Sequence, residues 1–182
     1  MGAIAAPEKV KLFCGLLLSG SLLLQPALKV LEENFGKIDL QSEPIDFTFT
    51  SYYNSEMGTG IKRLWVSFDA LISPDALAQI KVATNNIENA FTKETRRAVN
   101  IDPGYLTPAN VILASTKNFS HRIYLSDGIY SEVTLIYERQ DYTKLPWSYP
   151  DYSSQHGKTF LFEARKILMS QLKGAAPPSN KL

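Results

Sequence analysis

An imidazole, a guanidinium, a carboxylate and two phenols crowd one short stretch, Ser120 to Leu135, SHRIYLSDGIYSEVTL: His121, Arg122, Glu132, Tyr124 and Tyr130. Within it, Asp127-Gly128 is the dipeptide of a two-residue type I′ hairpin turn, whose central residues both take positive φ. A turn there pairs Ser126 with Ile129, sets Leu125 opposite Tyr130 and Ile123 opposite Glu132, and leaves Arg122 and Tyr124 on the other face. In that register His121 and Glu132 are diagonal neighbours on one face, roughly 7–8 Å apart at Cα. Such a spacing permits a His–carboxylate hydrogen bond. The bond would orient a general base, and it would equally satisfy a half-buried histidine. Arg122 is expected to point away from both.

A second group of chemistry-bearing residues lies in VNIDPGYL, Val99 to Leu106. The segment reads as a short strand that ends in a type II turn with Pro103 and Gly104 at its centre, so Asp102 is expected at a corner on the sheet rim. Lys117 precedes the hairpin in a loop. Near the C-terminus, PWSYPDYSS gathers Trp147, Tyr149 and Tyr152 around Asp151, with Pro146 and Pro150 stiffening the chain. This segment is either a flap that stacks on a flat ligand or one that seals the core edge. The candidate catalytic residues are therefore His121, Glu132 and Asp102, and the candidate ligand contacts are Lys117, Arg122, Tyr105, Tyr130, Tyr149 and Asp151. If the strand ends coincide, Asp102, Lys117, His121, Arg122 and Glu132 line one polar cleft, flanked by Tyr105 and the flap. Otherwise they form two separate satisfied clusters.

Other stretches exclude chemistry. GLLLSGS, from Gly15 to Ser21, has phosphate-loop spacing, but Ser21 stands where the essential lysine belongs and leucines fill the loop. GTP hydrolysis by a P-loop mechanism is not expected. EMGTGIKR, which leads Lys62 and Arg63 into a strand, reads as a solvated turn rather than an anion cradle. With His121, His156 and Cys14 as the only histidines and cysteine, a closed structural zinc site is excluded. No metal is expected, and nothing in the sequence indicates a cofactor.

The elements that must position these groups follow from composition and periodicity. The chain has 182 residues, 45% of them hydrophobic and 20% charged, enough for one domain with a sizeable core. Its net charge of +1 creates no overall field that favours nucleic acid or an anionic membrane. The lysine-flanked leucine run near the N-terminus resembles a leader, but Glu8 interrupts the flank and Lys29, Glu32 and Glu33 continue an amphipathic helix. A lone buried Cys14 suits a reducing compartment, so a cytoplasmic protein without a membrane span is expected.

Val10–Leu18 reads as a central strand, followed by a helix to Phe35 that Gly36 stops. Ile45 to Phe49 and Ile61 to Phe68 alternate like half-buried strands around the loop TSYYNSEMGTG. Ser73 and Pro74 open a helix with Leu77, Ile80, Thr84, Ile87 and Phe91 on one face. TPANVILAST fits a short helix or a strand, and a last helix covers about Lys158 to Leu172. Residues 1–8 are expected to be a flexible N-terminus, 9–173 a single domain and 174–182 a disordered tail. The order strand, helix, strand, strand, helix, strand is that of a split βαβ unit. The predicted fold is α+β: a mixed or antiparallel sheet with helices packed on it, a ferredoxin-like half, an added β-hairpin and a C-terminal helix.

TSYYNSEMG, VNIDPGYL, SHRIYL, GIYSEVTL and WSYPDY occur together in order. Together they resemble a bacterial family of uncharacterised proteins, a domain of unknown function of about this whole length, some of whose members carry a GTP-binding label. The likeness runs from Lys9 to the last helix, but no Asn-Lys-x-Asp guanine-reading stretch accompanies it. It implies that Asp102, Tyr105, Lys117, His121, Arg122, Tyr130, Glu132 and Asp151 are hallmark residues, and it carries no reaction. Three functions are compatible with these readings. The preferred one is a cytosolic binding domain for a small anionic ligand such as a nucleotide. The second is a hydrolase or acid–base enzyme with His121 as base, Glu132 as its orienting carboxylate and Asp102 as a second acid or metal ligand. The third is an assembly subunit with a tyrosine-rich interface. Nothing in the sequence specifies an oligomeric state.

Overall fold

The computed structural model describes residues 2–92 and 96–175. Its first strand, β1 (Val10–Leu18), is apolar except for Lys11 and buried along its whole length, the pattern of a strand covered on both faces. After a 3₁₀ turn comes α1 (Leu24–Phe35), whose Ala27, Leu28 and Leu31 are buried; it stops at Gly36, where φ is 91°. Then follow β2 (Ile38–Gln41), β3 (Ile45–Asp46), a short helix α2 (Asn54–Met57) and the long β4 (Lys62–Ile72). Ser73 in extended conformation and Pro74 lead through a second 3₁₀ turn into α3 (Leu77–Ala90), which buries Leu77, Ile80, Thr84 and Ile87. The remaining elements are β5 (Val99–Leu106), β6 (Asn110–Ser115), β7 (Ile123–Ser126), β8 (Ile129–Glu138), β9 (Asp141–Lys144) and α4 (Gln155–Ala175).

All nine strands join one antiparallel sheet, ordered β2-β4-β1-β5-β6-β8-β7, with β3 added to β4 and β9 to β8. The first part, β2-β4-β1-β5 with α1 and α3, is the expected ferredoxin-like split βαβ arrangement, and the class is α+β. Alternation along β1 sends Leu12, Cys14, Leu16 and Leu18 to one face, where they pack with α1 and α3. Phe13 goes to the other, where it packs with Phe160, Leu161, Ala164 and Leu168 of α4. The helix α4 covers only part of that second face. Leu17, further along β1, packs instead with Met57, Ile61, Phe47 and Tyr53 of the segment around α2.

Several expectations are corrected. β5 runs straight through Asp102-Pro103-Gly104, so there is no type II turn, and Asp102 lies in mid-strand opposite Gly15. Pro103 is tolerated because the ladder to β6 begins only at Gly104, which leaves Pro103 paired on one side alone. Of the two readings open for TPANVILAST, the strand is the one that forms, as β6. The Ile45–Phe49 strand shrinks to Ile45–Asp46, while β2 and the β8–β9 hairpin were not anticipated. The last helix runs from Gln155 to Ala175 rather than from about Lys158 to Leu172; residues 176–182 of the expected tail lie outside the described residues.

The Asp127-Gly128 turn forms as expected, with φ of 53° and 75° and Ser126 paired with Ile129. One residue further the register slips. Tyr124, not Leu125, pairs with Tyr130, and Ile123 pairs with Ser131, so Leu125 sits in a bulge. The slip moves every residue behind it by one position. His121 and Arg122 lie before β7, outside its strand alternation, and instead of taking opposite faces both reach Glu132.

One feature of the sheet positions the candidate site. β5 and β6 are paired only over Gly104–Leu106 and Val111–Leu113. Beyond that point β5 stays with β1 as far as Val99, while Ala114 and Ser115 of β6 stay with β8. The two strands part like a fork.

Candidate functional site

Asp102 stands on the β5 prong of this fork, two residues from the last β5–β6 pair at Gly104, with 29% of its side chain exposed. Two cavities meet at it. One, of about 400 Å³, is mostly polar and reaches from Lys81, Asn85 and Glu88 of α3 across the fork to Ser115 and Glu132. The other, of about 410 Å³, is mostly apolar and is walled by Phe47, Phe49, Phe119 and Tyr152 above Arg63 and Asp151. Tyr52, Tyr53, Asp102, Lys117 and Tyr149 belong to both and form the wall between them.

Beneath Asp102 lies Arg63 of β4, whose side chain is 1% exposed. Its Nη2 forms an ion pair with Asp151 Oδ2 at 2.8 Å, and its Nη1 is 3.6 Å from Asp102 Oδ2. The guanidinium carbon lies 4.9 Å from the centre of the Trp65 ring and 4.8 Å from that of Tyr152. Burial opposes the charge, but Asp151, the Tyr152 hydroxyl and Asp102 outweigh it and hold the arginine above its ordinary pKa. Gly15 makes this packing possible, since a Cβ there would come within 2.7 Å of Arg63 Nη2. Arg63 Nε and the Tyr152 hydroxyl are buried without a hydrogen-bond partner among the described residues, which is costly in a finished core. The expected solvated turn at Lys62-Arg63 is thus half right: Lys62 pairs with Asp46 at the surface, while Arg63 is a buried cation under the site.

The polar cavity has its own network. Arg97 donates to Glu56 at 2.8 Å, Glu88 at 3.2 Å and Asn100 Oδ1 at 2.6 Å. Asn100 Nδ2 passes the connection to Asp102 Oδ2 at 3.1 Å. Behind it, Lys81 Nζ donates to the Ile101 carbonyl at 2.8 Å, and Glu88 Oε1 accepts from the Ile101 N–H at 2.7 Å. Burial raises the Glu88 pKa above its ordinary value, more than Lys81 and the Ile101 N–H lower it.

On the β6–β8 prong, Glu132 is 1% exposed and its Oε2 accepts from both Arg122 Nε at 2.7 Å and His121 Nε2 at 3.1 Å. Arg122 continues to Ser115 Oγ, the Lys117 carbonyl and the Tyr149 hydroxyl, at 3.0, 2.8 and 2.9 Å. The His121 ring stacks on Trp147, with 4.7 Å between centres and 7° between planes. This cluster ties the β6–β7 loop to the Tyr149 segment. Burial, then the Glu132 charge, push the Tyr149 hydroxyl up to about 12, and burial likewise raises Tyr53.

Of the residues selected from the sequence, Asp102, Lys117, Glu132, Arg122, Tyr149 and Asp151 gather around the two cavities. His121 reaches Glu132 but lines neither cavity. Tyr105 packs on the opposite side of the sheet with Leu77, Ala78 and Ile112 beneath α3, and Tyr130 pairs edge-on with Tyr124. Sequence reasoning did not identify Arg63, Lys81, Glu88, Arg97 and Asn100 as site residues. Some signals existed. Lys81, Thr84 and Glu88 recur at helical spacing beside the apolar stripe of α3, and Asn100 and Asp102 share a strand face. Among the described residues, no three histidine, cysteine, aspartate or glutamate side chains gather as metal ligands, and no helix is long and apolar enough to cross a membrane.

The model of a protein family described as a domain of unknown function (DUF4416) matches residues 8–168, so the chain belongs to that family. No curated protein and no solved structure matches it.

Proposed function

We propose that this DUF4416 domain is a cytoplasmic binding protein for a small anionic ligand such as a nucleotide, held in the cleft at the β5–β6 fork. The observation that carries the reading is Lys117. The other cations around the cleft are matched to carboxylates: Arg63 to Asp151, Arg97 to Glu56 and Glu88, Lys81 to Glu88, and Arg122 to Glu132. Lys117 Nζ instead meets the Tyr52 hydroxyl at 2.8 Å, on the wall shared by the two cavities, with no carboxylate partner among the described residues. An exposed ammonium beside two cavities is a ready partner for an anion. Burial pushes the Cys14 thiol up and keeps it unreactive, which fits a reducing compartment.

The acid–base alternative with His121, Glu132 and Asp102 has less support. Glu132 is shared with Arg122, and the imidazole is stacked on Trp147 outside both cavities. A base must come within hydrogen-bond reach of its substrate. The test is a thermal-shift series with nucleoside phosphates and sugar phosphates. A ligand at about 100 times its Kd adds about 2.7 kcal/mol of stability. The expected outcome is a concentration-dependent rise in Tm that Lys117→Ala removes and His121→Ala leaves in place. A rise that survives Lys117→Ala would overturn the proposal.

A further inference from the structure

Resting on that reading, the geometry points to a ligand class: we infer that the aromatic cavity receives a planar heterocycle, that Asp102 accepts an N–H of that ring, and that Lys117 takes a phosphate attached to it. The ligand is of the nucleoside monophosphate type.

The first observation is the aromatic wall. Phe47, Phe49, Tyr53, Phe119, Tyr149 and Tyr152 line one cavity of about 410 Å³, a size suited to a small ring-bearing ligand. Phe119 and Tyr149 keep 63% and 38% of their surfaces exposed although they stand at a cavity mouth. An inorganic anion would use Lys117 and leave this surface wet. A stacked ring would cover it, and base–aromatic stacking contributes about 1–3 kcal/mol per base.

The second observation is the polarity of the cavity floor. Asp102 Oδ2 is engaged by Asn100 and lies near Arg63, whereas Oδ1 accepts no hydrogen bond among the described residues. The neighbouring Asp151 is committed to Arg63. Two carboxylates repel an anion, so the charged end of a ligand is turned away from the floor and toward Lys117. An open carboxylate oxygen beside aromatic walls suits an N–H donor on a ring edge, because charge-assisted hydrogen bonds are the stronger ones.

Calorimetric titration of the whole chain distinguishes these contributions. The probes are AMP, GMP, CMP and UMP, purine riboside 5′-monophosphate, whose ring carries no N–H donor, and ribose 5-phosphate, which has no ring base. The tightest of the four nucleotides is expected to bind about tenfold more tightly than purine riboside 5′-monophosphate. That compound should in turn bind about tenfold more tightly than ribose 5-phosphate. Phe119→Ala, a surface change that leaves folding intact, should weaken every ring-bearing probe and leave ribose 5-phosphate unchanged. Asp102→Asn should remove the preference for an N–H donor. Ribose 5-phosphate binding as tightly as the nucleotides, or nucleotides indifferent to Phe119→Ala, would overturn the ring assignment while leaving the anion-binding reading in place. Absence of binding by every probe would overturn both.

Discussion

Lys11 and Arg63 are both fully buried cations on the α4 face of one sheet, and they are solvated by the protein in opposite ways. The three N–H donors of Lys11 meet Asp39 Oδ2 at 2.6 Å, the Phe68 carbonyl at 3.0 Å and Gln171 Oε1 at 3.1 Å. Ser67 occupies the other oxygen of Asp39 at 2.6 Å, and the cluster is closed. Arg63 has one short contact to Asp151, a longer one to Asp102, an Nε without a partner and an unpaired Tyr152 hydroxyl nearby. Two cavities open beside it. Burial does not tell a structural ion pair from a site. Completeness of hydrogen bonding does, since an unsatisfied group held in place is one a ligand or water can satisfy.

The largest effect should come from Arg63→Met, which strands Asp151 and Asp102. Urea unfolding should show a loss of about 3–5 kcal/mol, and ligand-dependent stabilisation should vanish with it. Lys11→Met should cost about 2–3 kcal/mol, less because Asp39 keeps contact with water and with Ser67, and should leave the ligand-induced rise in Tm unchanged. Loss of ligand response in Lys11→Met would break the distinction between the two clusters.

A smaller effect is read from pH. The folded protein holds the Glu88 proton more tightly than the unfolded chain does, because its pKa is raised by burial above 4.5. This group therefore favours folding most below 4.5, and its contribution falls as pH rises through the raised folded value. Stability against pH should slope downward there in the native chain and flatten in Glu88→Gln. An unchanged slope would mean that Lys81 and Arg97 fully compensate the charge. The smallest effect on stability belongs to Lys117→Ala, under about 0.5 kcal/mol, as an exposed substitution outside the core. It is nonetheless expected to remove the ligand response, so stability and binding separate most sharply at this residue.

Much of the framework could be read in the residues before the fold. Val10–Leu18 is recognisable as a doubly covered strand from an apolar run that only Lys11 interrupts, Gly36 as a helix stop and Asp127-Gly128 as a turn. Each is a local preference, settled by neighbours a few residues away. The hairpin between β8 and β9 escaped notice because its turn uses Arg139 and Gln140, both at positive φ, where side chains give no warning. The Pro-Gly pair at 103–104 misled for a related reason. Its turn preference is outweighed by pairing with β1, and Gly104 serves close packing, where a Cβ would lie 2.8 Å from the Phe13 ring.

The candidate site divides in the same way. That Asp102, Lys117, Arg122, Glu132, Tyr149 and Asp151 were worth noting follows from their chemistry and spacing alone. That they surround one cleft, with His121 and Tyr105 left out, depends on the turn before β7 and on the parting of β5 from β6. Sequence by itself determined the α+β class, the split βαβ order of the first half and the apolar faces of the main helices, because periodicity and turn chemistry act locally. Only the tertiary structure decided which charges meet. Arg63 finds Asp151 across 88 residues of chain and Lys117 finds Tyr52 across 65 through strand register and loop packing, which no local pattern encodes.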